Sequence, residues 1–355
     1  MIDEITEKSK QNIDTVLEYS SFLNYSLSDT YFIKLLYSLL CKAETYSNTY
    51  PMNIKIQDSS LSKRYDIHYL FGNTCFDIVI YGDVDIQKLS RMVQFAIQIC
   101  SHGAELRENY KIMILKETNT ELVPGNVSEK VSESSLKDTY DIIVSGDEIL
   151  KKLLYECFRM FCLDFKEVDI DSTTMLEKIF KKRCSLPDVL CEFWARTLNI
   201  ALFTFFIKST YEAFEQYFIV NMNIERVFGM VQMKHHLEDS PDFGDYVLTP
   251  LLFLHFQQTM NWFVNGHETS LQFKKRNNHV YPFFYYLRTI YTPDKYLNIL
   301  SEIKECSNGR PNKRPNEQPD VQVDLIKVSY YMSKTVFDID FRHSSRSGMK
   351  GSAGD

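Results

Sequence analysis

A strand followed by an amphipathic helix, within residues 140–161, constrains the fold of this chain most. The strand ends in Ile142-Ile143-Val144, whose β-branched side chains pack well on a pleated surface. Ser145 and Glu148 then form a capping-box pattern, so a helix should begin there. One broad face of this predicted helix is buried, because apolar residues recur at steps of three and four. These residues are Leu150, Leu153, Leu154, Cys157, Phe158 and Phe161.

The same helix carries the framework of a zinc-peptidase motif without its histidines. In H-E-x-x-H, two imidazoles hold Zn²⁺ and the glutamate activates a water molecule. Here Tyr155 and Arg159 occupy the histidine positions, and Glu156 stands where the general base would be. An arginine stays protonated and offers no lone pair, so it cannot bind a metal ion. The sequence therefore predicts a relic site with no metal and no catalysis.

A second predicted helix, at about residues 186–206, supplies Glu192 as the third relic position. In peptidases whose third zinc ligand is a glutamate, that ligand comes from a separate helix some tens of residues after the histidine pair, and the spacing here fits. We expect the cationic Arg159 to pair with Glu192 and to share this contact with Glu156. Removing a buried arginine of this kind would cost about 3 to 5 kcal/mol. The alternative is that Arg159 points into water.

These helices resemble those of a metallopeptidase-like family encoded by nucleocytoplasmic large DNA viruses of the mimivirus kind. The family's first helix reads approximately H-E-x-F-H followed by Leu-Asp-Phe, and its later helix carries Glu-Phe-Trp-Ala. This chain has Glu156, Phe158, Leu-Asp-Phe at 163–165 and Glu-Phe-Trp-Ala at 192–195. The resemblance covers roughly residues 140 to 290 and implies a zincin-like fold. Further landmarks lie at 223–228, 231–233 and 271–275.

The predicted fold class is α+β, with a small N-terminal sheet and helices followed by a mainly helical C-terminal half. Four parts are expected: N-terminal helices at 1–47, a strand-rich half at 48–165 that ends in the helix carrying Glu156, a helical half at 166–306, and a partly disordered tail at 307–355. Strands are predicted at 52–57, 65–71, 75–81, 111–116 and 140–144, with a hairpin turn at Gly72-Asn73 and a helix at 86–101.

Composition and net charge limit the kinds of partner that the chain is expected to bind. With 355 residues and 44% hydrophobic composition, the chain can bury a sizeable core. A net charge of -7 argues against nucleic acid as a partner. The most apolar segment, 198–207, is about half the length that a membrane span needs, so no span is expected.

Eight cysteines are scattered along the chain, mostly inside apolar runs. A chain of this length does not need disulfide bonds, so the pattern predicts reduced core thiols in a cytosolic setting. The alternative is a rebuilt thiolate metal site that involves Cys157, Cys162 and Cys191.

The predicted function is that of a catalytically inactive, metallopeptidase-like protein of a large DNA virus or virus-derived element. It would act as a binding or virion scaffold protein, in the host cytoplasm or the virion, with a protein or peptide partner and no cofactor. Two alternatives stay open: an active metallopeptidase with a non-standard zinc site, and a peptide-binding module that uses the relic cleft. An open cleft beside Glu156 favours peptide binding, whereas a cleft filled by Tyr155 and Arg159 favours a scaffold.

Overall fold

The computed structural model describes somewhat more than half of the chain. The segments that it describes are 31–50, 52–58, 63–116, 139–146, 148–161, 172–208, 210–236, 243–263, 271, 273 and 280–292. Residues 1–30 of the predicted N-terminal helices, the Leu-Asp-Phe at 163–165, Cys162 and the predicted tail at 307–355 lie outside these residues.

A five-stranded mixed sheet occupies the first half. Neighbouring strands follow chain order, β1 to β5; β1, β2 and β3 are antiparallel, and β4 and β5 continue parallel to β3. The predicted hairpin turn is confirmed, because Gly72 closes β2 onto β3 with a φ of 60° that suits glycine. All five predicted strands are present, each with shifted ends. Their bounds are β1 Asn53–Asp58, β2 Lys63–Phe71, β3 Thr74–Tyr81, β4 Asn109–Leu115 and β5 Ile142–Ser145.

Nine α-helices complete the described part and confirm the mixed α+β class, with helices dominating the second half. Helix α2 (Ile86–Cys100) joins β3 to β4, and helix α3 (Ile149–Met160) follows β5. Helix α2 packs against α3, and α3 packs against α5 (Leu186–Ile207). The helices are α1 Tyr31–Thr49, α2 Ile86–Cys100, α3 Ile149–Met160, α4 Ser172–Phe180, α5 Leu186–Ile207, α6 Tyr211–His236, α7 Thr249–Leu254, α8 Phe256–Phe263 and α9 Val280–Ile290, with a π-helical turn at Gly244–Leu248.

The two faces of the sheet differ in chemistry. Strand β3 buries Phe76, Ile78 and Ile80 on the face that joins the main core with the helices. On the opposite face, alternate positions carry polar side chains such as His68 and Asp77, which are exposed. This period of two is what a strand with one buried face requires.

The predicted capping box at the start of α3 is wrong. Ser145 belongs to β5, and its carbonyl accepts a hydrogen bond from Lys152 Nζ at 2.6 Å. Gly146, with a φ of 87°, separates the strand from the helix. Glu148 is the N-cap residue and makes no side-chain capping bond; its carboxylate lies 3.3 Å from Lys151 Nζ instead. A left-handed turn therefore replaces the reciprocal cap.

Helix α5 lies at the centre of the helical half. Its Phe193 and Trp194 are buried among Phe253, Phe263 and Phe273. Among the described helices it is the one long and apolar enough to cross a membrane, with a mean hydropathy of 1.3 over its best window. Because 67% of that window is buried inside the protein, its apolar character is accounted for by the core.

Candidate functional site

Helices α3 and α5 meet in an antiparallel register that decides which relic residues are neighbours. Lys151 Nζ lies 3.0 Å from Glu192 Oε1, and one turn further along α3 the Tyr155 hydroxyl lies 3.1 Å from Asp188 Oδ1. Arg159 lies eight residues beyond Lys151, which is about 12 Å along the helix axis. Glu192 is therefore level with Lys151, and the structure does not bring it together with Arg159.

The expected pair between Arg159 and Glu192 is wrong, while the contact between Arg159 and Glu156 is present. Arg159 Nη1 lies 3.6 Å from Glu156 Oε1, and the arginine side chain is 54% exposed. An exposed pair three residues apart on a helix stabilises it by less than about 0.5 kcal/mol, because water screens both charges. The expected cost of 3 to 5 kcal/mol for losing this arginine does not apply to such a surface position.

Tyr155 is half-buried and connects the two helices. Its hydroxyl donates to Asp188, which lies in the first turn of α5. A carboxylate at this end of a helix is favoured by the helix dipole. Burial, reinforced by the negative charge of Asp188, raises the pKa of Tyr155, so its hydroxyl stays protonated and acts as a donor. The phenol thus forms a contact between α3 and α5.

Glu192 belongs to a chain of alternating charges that links three helices. Its side chain is 13% exposed, and Oε1 accepts from Lys151 Nζ and, at 2.6 Å, from Arg196 Nε. Arg196, 11% exposed, donates through Nη1 to Glu225 Oε1 on α6 at 2.9 Å. Glu148 continues the chain on the other side of Lys151. We call these five residues, Glu148, Lys151, Glu192, Arg196 and Glu225, the ion-pair chain.

The charges of the ion-pair chain hold one another ionised. Burial alone would raise the pKa of Glu192, but the charges of Arg196 and Lys151 outweigh it and lower that pKa. Burial alone would lower the pKa of Lys151, but Glu192 and Glu148 together outweigh it and raise that pKa. Arg196 is likewise held protonated, since Glu192 and Glu225 together outweigh its burial. A divalent cation at Glu192 would lie beside two fixed positive charges, which opposes metal binding there.

Three buried cysteines lie near the same helices: Cys100, Cys157 and Cys191. Burial raises the pKa of the Cys100 thiol, and the neighbouring Cys157 raises it further. Cys162, a member of the alternative thiolate site, lies outside the described residues, so that alternative stays untested. The six cysteines that the structure describes are free thiols; Cys100, Cys157 and Cys191 are buried, whereas Cys41, Cys75 and Cys184 are half-buried.

The residues that the sequence argument missed are Lys151, Asp188, Arg196 and Glu225. One signal for them was present: Glu192 and Arg196 stand four apart within an otherwise apolar helix. That spacing places them on one helix face, and charges in a buried helix require partners. The contact between Lys151 and Glu192 left no comparable signal, because it depends on how two distant segments pack.

Comparison of the chain with protein-family models, with curated proteins and with solved structures finds no match. The resemblance to the viral family therefore rests on its motif residues alone. Two of these, Phe193 and Trp194, are buried aromatic residues at the centre of the helical half, so their place in the motif has a packing reason.

Proposed function

We propose that this chain is a non-catalytic protein that acts by binding a protein or peptide partner, and that its relic positions serve as contacts between helices. The observation that carries the proposal is the state of Glu192, whose carboxylate is shared by Lys151 and Arg196. A carboxylate that binds zinc offers a lone pair to the metal ion, and positive side chains beside it repel that ion. The carboxylate of Glu192 already contacts two positive side chains, Lys151 and Arg196.

A scaffold role is favoured over peptide binding in a relic cleft. Tyr155 connects α3 to α5 through its bond to Asp188, and Glu156 contacts Arg159 on its own helix. Each of these side chains thus has a local contact in place of a substrate. The resemblance in sequence is the support for a zincin-like ancestry and for a viral setting, as a virion component or in the host cytoplasm.

Peptide cleavage by the full chain, with and without a chelator, tests the absence of catalysis. We expect no chelator-sensitive cleavage by the wild type. We also expect none from the double variant Tyr155→His/Arg159→His with added zinc, because Glu192 is held level with Lys151 and not with the restored histidines. Cleavage by the wild type that a chelator stops and that Glu156→Gln abolishes would contradict the proposal.

Binding is tested separately, with the tagged full chain as bait in infected cells. The proposal expects one protein to be recovered in a fixed ratio to the bait and to bind again when both are purified. A folded bait that recovers no such partner would count against a scaffold role.

A further inference from the structure

Three potential metal ligands lie together on the polar face of the sheet, away from α3 and α5. His68 on β2 stands directly opposite Asp77 on β3, and Cys75 lies two residues before Asp77, so all three share that face. His68 Nδ1 is 2.9 Å from Asp77 Oδ1. Cys75 Sγ is 3.4 Å from the same nitrogen and 3.8 Å from the same oxygen.

These separations of 2.9, 3.4 and 3.8 Å each lie within about 0.5 Å of the spacing between donor atoms around a tetrahedral zinc ion. Bond lengths of about 2.0 Å to nitrogen, 2.3 Å to sulfur and 2.1 Å to oxygen place tetrahedral donors about 3.3 to 3.6 Å apart. We propose that His68, Cys75 and Asp77 bind a divalent cation of the zinc class. The mixed nitrogen, sulfur and oxygen set favours zinc over magnesium or calcium, which prefer oxygen ligands. Three protein ligands leave the fourth position for water or a ligand from a partner.

The hairpin is a rigid support for such a site. The two strands are joined only by Gly72 and Asn73, and the register between them runs unbroken from Phe71 to Arg64 on β2. On the opposite face, Tyr69 and Phe76 are buried and their rings contact each other. Ligands held on paired strands need little reorganisation to bind an ion.

A cysteine nucleophile is the competing interpretation, and the geometry disfavours it. A base that activates a thiol uses one ring nitrogen for the thiol and the other for the carboxylate. Here the nitrogen nearer to Cys75 is the one that contacts Asp77, and the sulfur is nearly equidistant from both nitrogens, at 3.4 and 3.6 Å.

Titration of the full, metal-free chain with Zn²⁺, followed by calorimetry, tests the site. We expect one strong site per chain, weakened at least about tenfold by His68→Ala and by Cys75→Ser. Cys41→Ser, a half-buried cysteine on α1, is the matched control and should bind as the wild type does. Lys111 stands opposite Asp77 on β4, so Lys111→Gln should tighten binding by removing a nearby positive charge.

Co²⁺ in place of Zn²⁺ makes the metal ligands visible in the absorption spectrum. The Co²⁺ complex should show a thiolate charge-transfer band that Cys75→Ser removes and Cys41→Ser keeps. Thermal melts of metal-free His68→Ala and Cys75→Ser should match the wild type, because His68 is exposed and serine is close in size to the half-buried Cys75. Absence of stoichiometric binding, or binding that survives both His68→Ala and Cys75→Ser in folded protein, would overturn the proposal. This outcome is independent of the relic positions, since none of the variants touches them.

Discussion

The phenol of Tyr155 reaches from α3 to the first turn of α5, where Asp188 accepts its hydrogen bond. An imidazole at this position would offer a lone pair to a metal ion, whereas a protonated phenol offers a donor. The phenol thus forms a contact between the two helices. At the residue scale, the absence of a metal ligand at Tyr155 stays a prediction, and the sequence argument missed the partner Asp188.

Tyr155→Phe should lower the free energy of unfolding by about 0.5 to 1 kcal/mol. The substitution keeps the packing of the ring and removes one hydrogen bond, whose acceptor Asp188 is exposed and regains water. Urea denaturation measures the change. Tyr285→Phe is the matched control, because Tyr285 is 74% exposed, and it should have no measurable effect. A loss above about 2 kcal/mol would mean that Tyr155 does more than donate this bond.

At the scale of elements, the ion-pair chain joins α3, α5 and α6. Lys151 comes from α3, Glu192 and Arg196 from α5, and Glu225 from α6. Each charge in the middle of the chain has two opposite charges as neighbours, which offsets the cost of its burial. The three helices are thereby fixed in one register as well as packed together.

The ion-pair chain should give stability a specific dependence on pH. The pKa of Glu192 is lowered in the folded state, so its stabilisation is complete above its unfolded pKa of about 4.3 and is lost as pH falls through the folded value. The pKa of Lys151 is raised, so its stabilisation is complete below about pH 10.4 and is lost as pH rises through its folded pKa.

Urea unfolding of the wild type and of Glu192→Gln, from neutral pH down to about pH 3, checks the acid side. The variant should be less stable at neutral pH, and the difference should narrow as pH falls below about 4.3, where the glutamate becomes protonated in the unfolded state. A difference that stays constant over this range would show that Glu192 does not titrate with a lowered pKa.

The elements themselves were predictable, and the contacts between them were not. Strands β1 to β5 and helices α2, α3 and α5 follow from local apolar periods of two and of three to four residues. The neighbours of Glu192 depend on the register between α3 and α5, which long-range packing sets. The cluster of His68, Cys75 and Asp77 was missed for another reason: the predicted two-residue turn already sets the register that places His68 opposite Asp77, and the sequence argument did not follow that register.

At the scale of the whole molecule, one sheet face and the helices share a core, and the other face carries the polar cluster of His68, Cys75 and Asp77. The mixed α+β class followed from alternating strand patterns before a long helical region. The prediction of a zincin-like fold depends instead on motif residues. Two of these, Phe193 and Trp194, are buried, so packing in the core accounts for their presence. The central claim is therefore physical: the charges of Lys151, Glu192 and Arg196 stabilise the fold through the contacts that they make with one another.

The most direct test of that claim compares the unfolding free energies of Arg159→Ala and Arg196→Ala. Arg196 is buried between two carboxylates, so its loss should cost about 3 to 5 kcal/mol. Arg159 is exposed, so its loss should cost less than about 0.5 kcal/mol. If Arg159→Ala were as destabilising as Arg196→Ala, the relic arginine would hold the helices together, and the arrangement described for Glu192 would be contradicted.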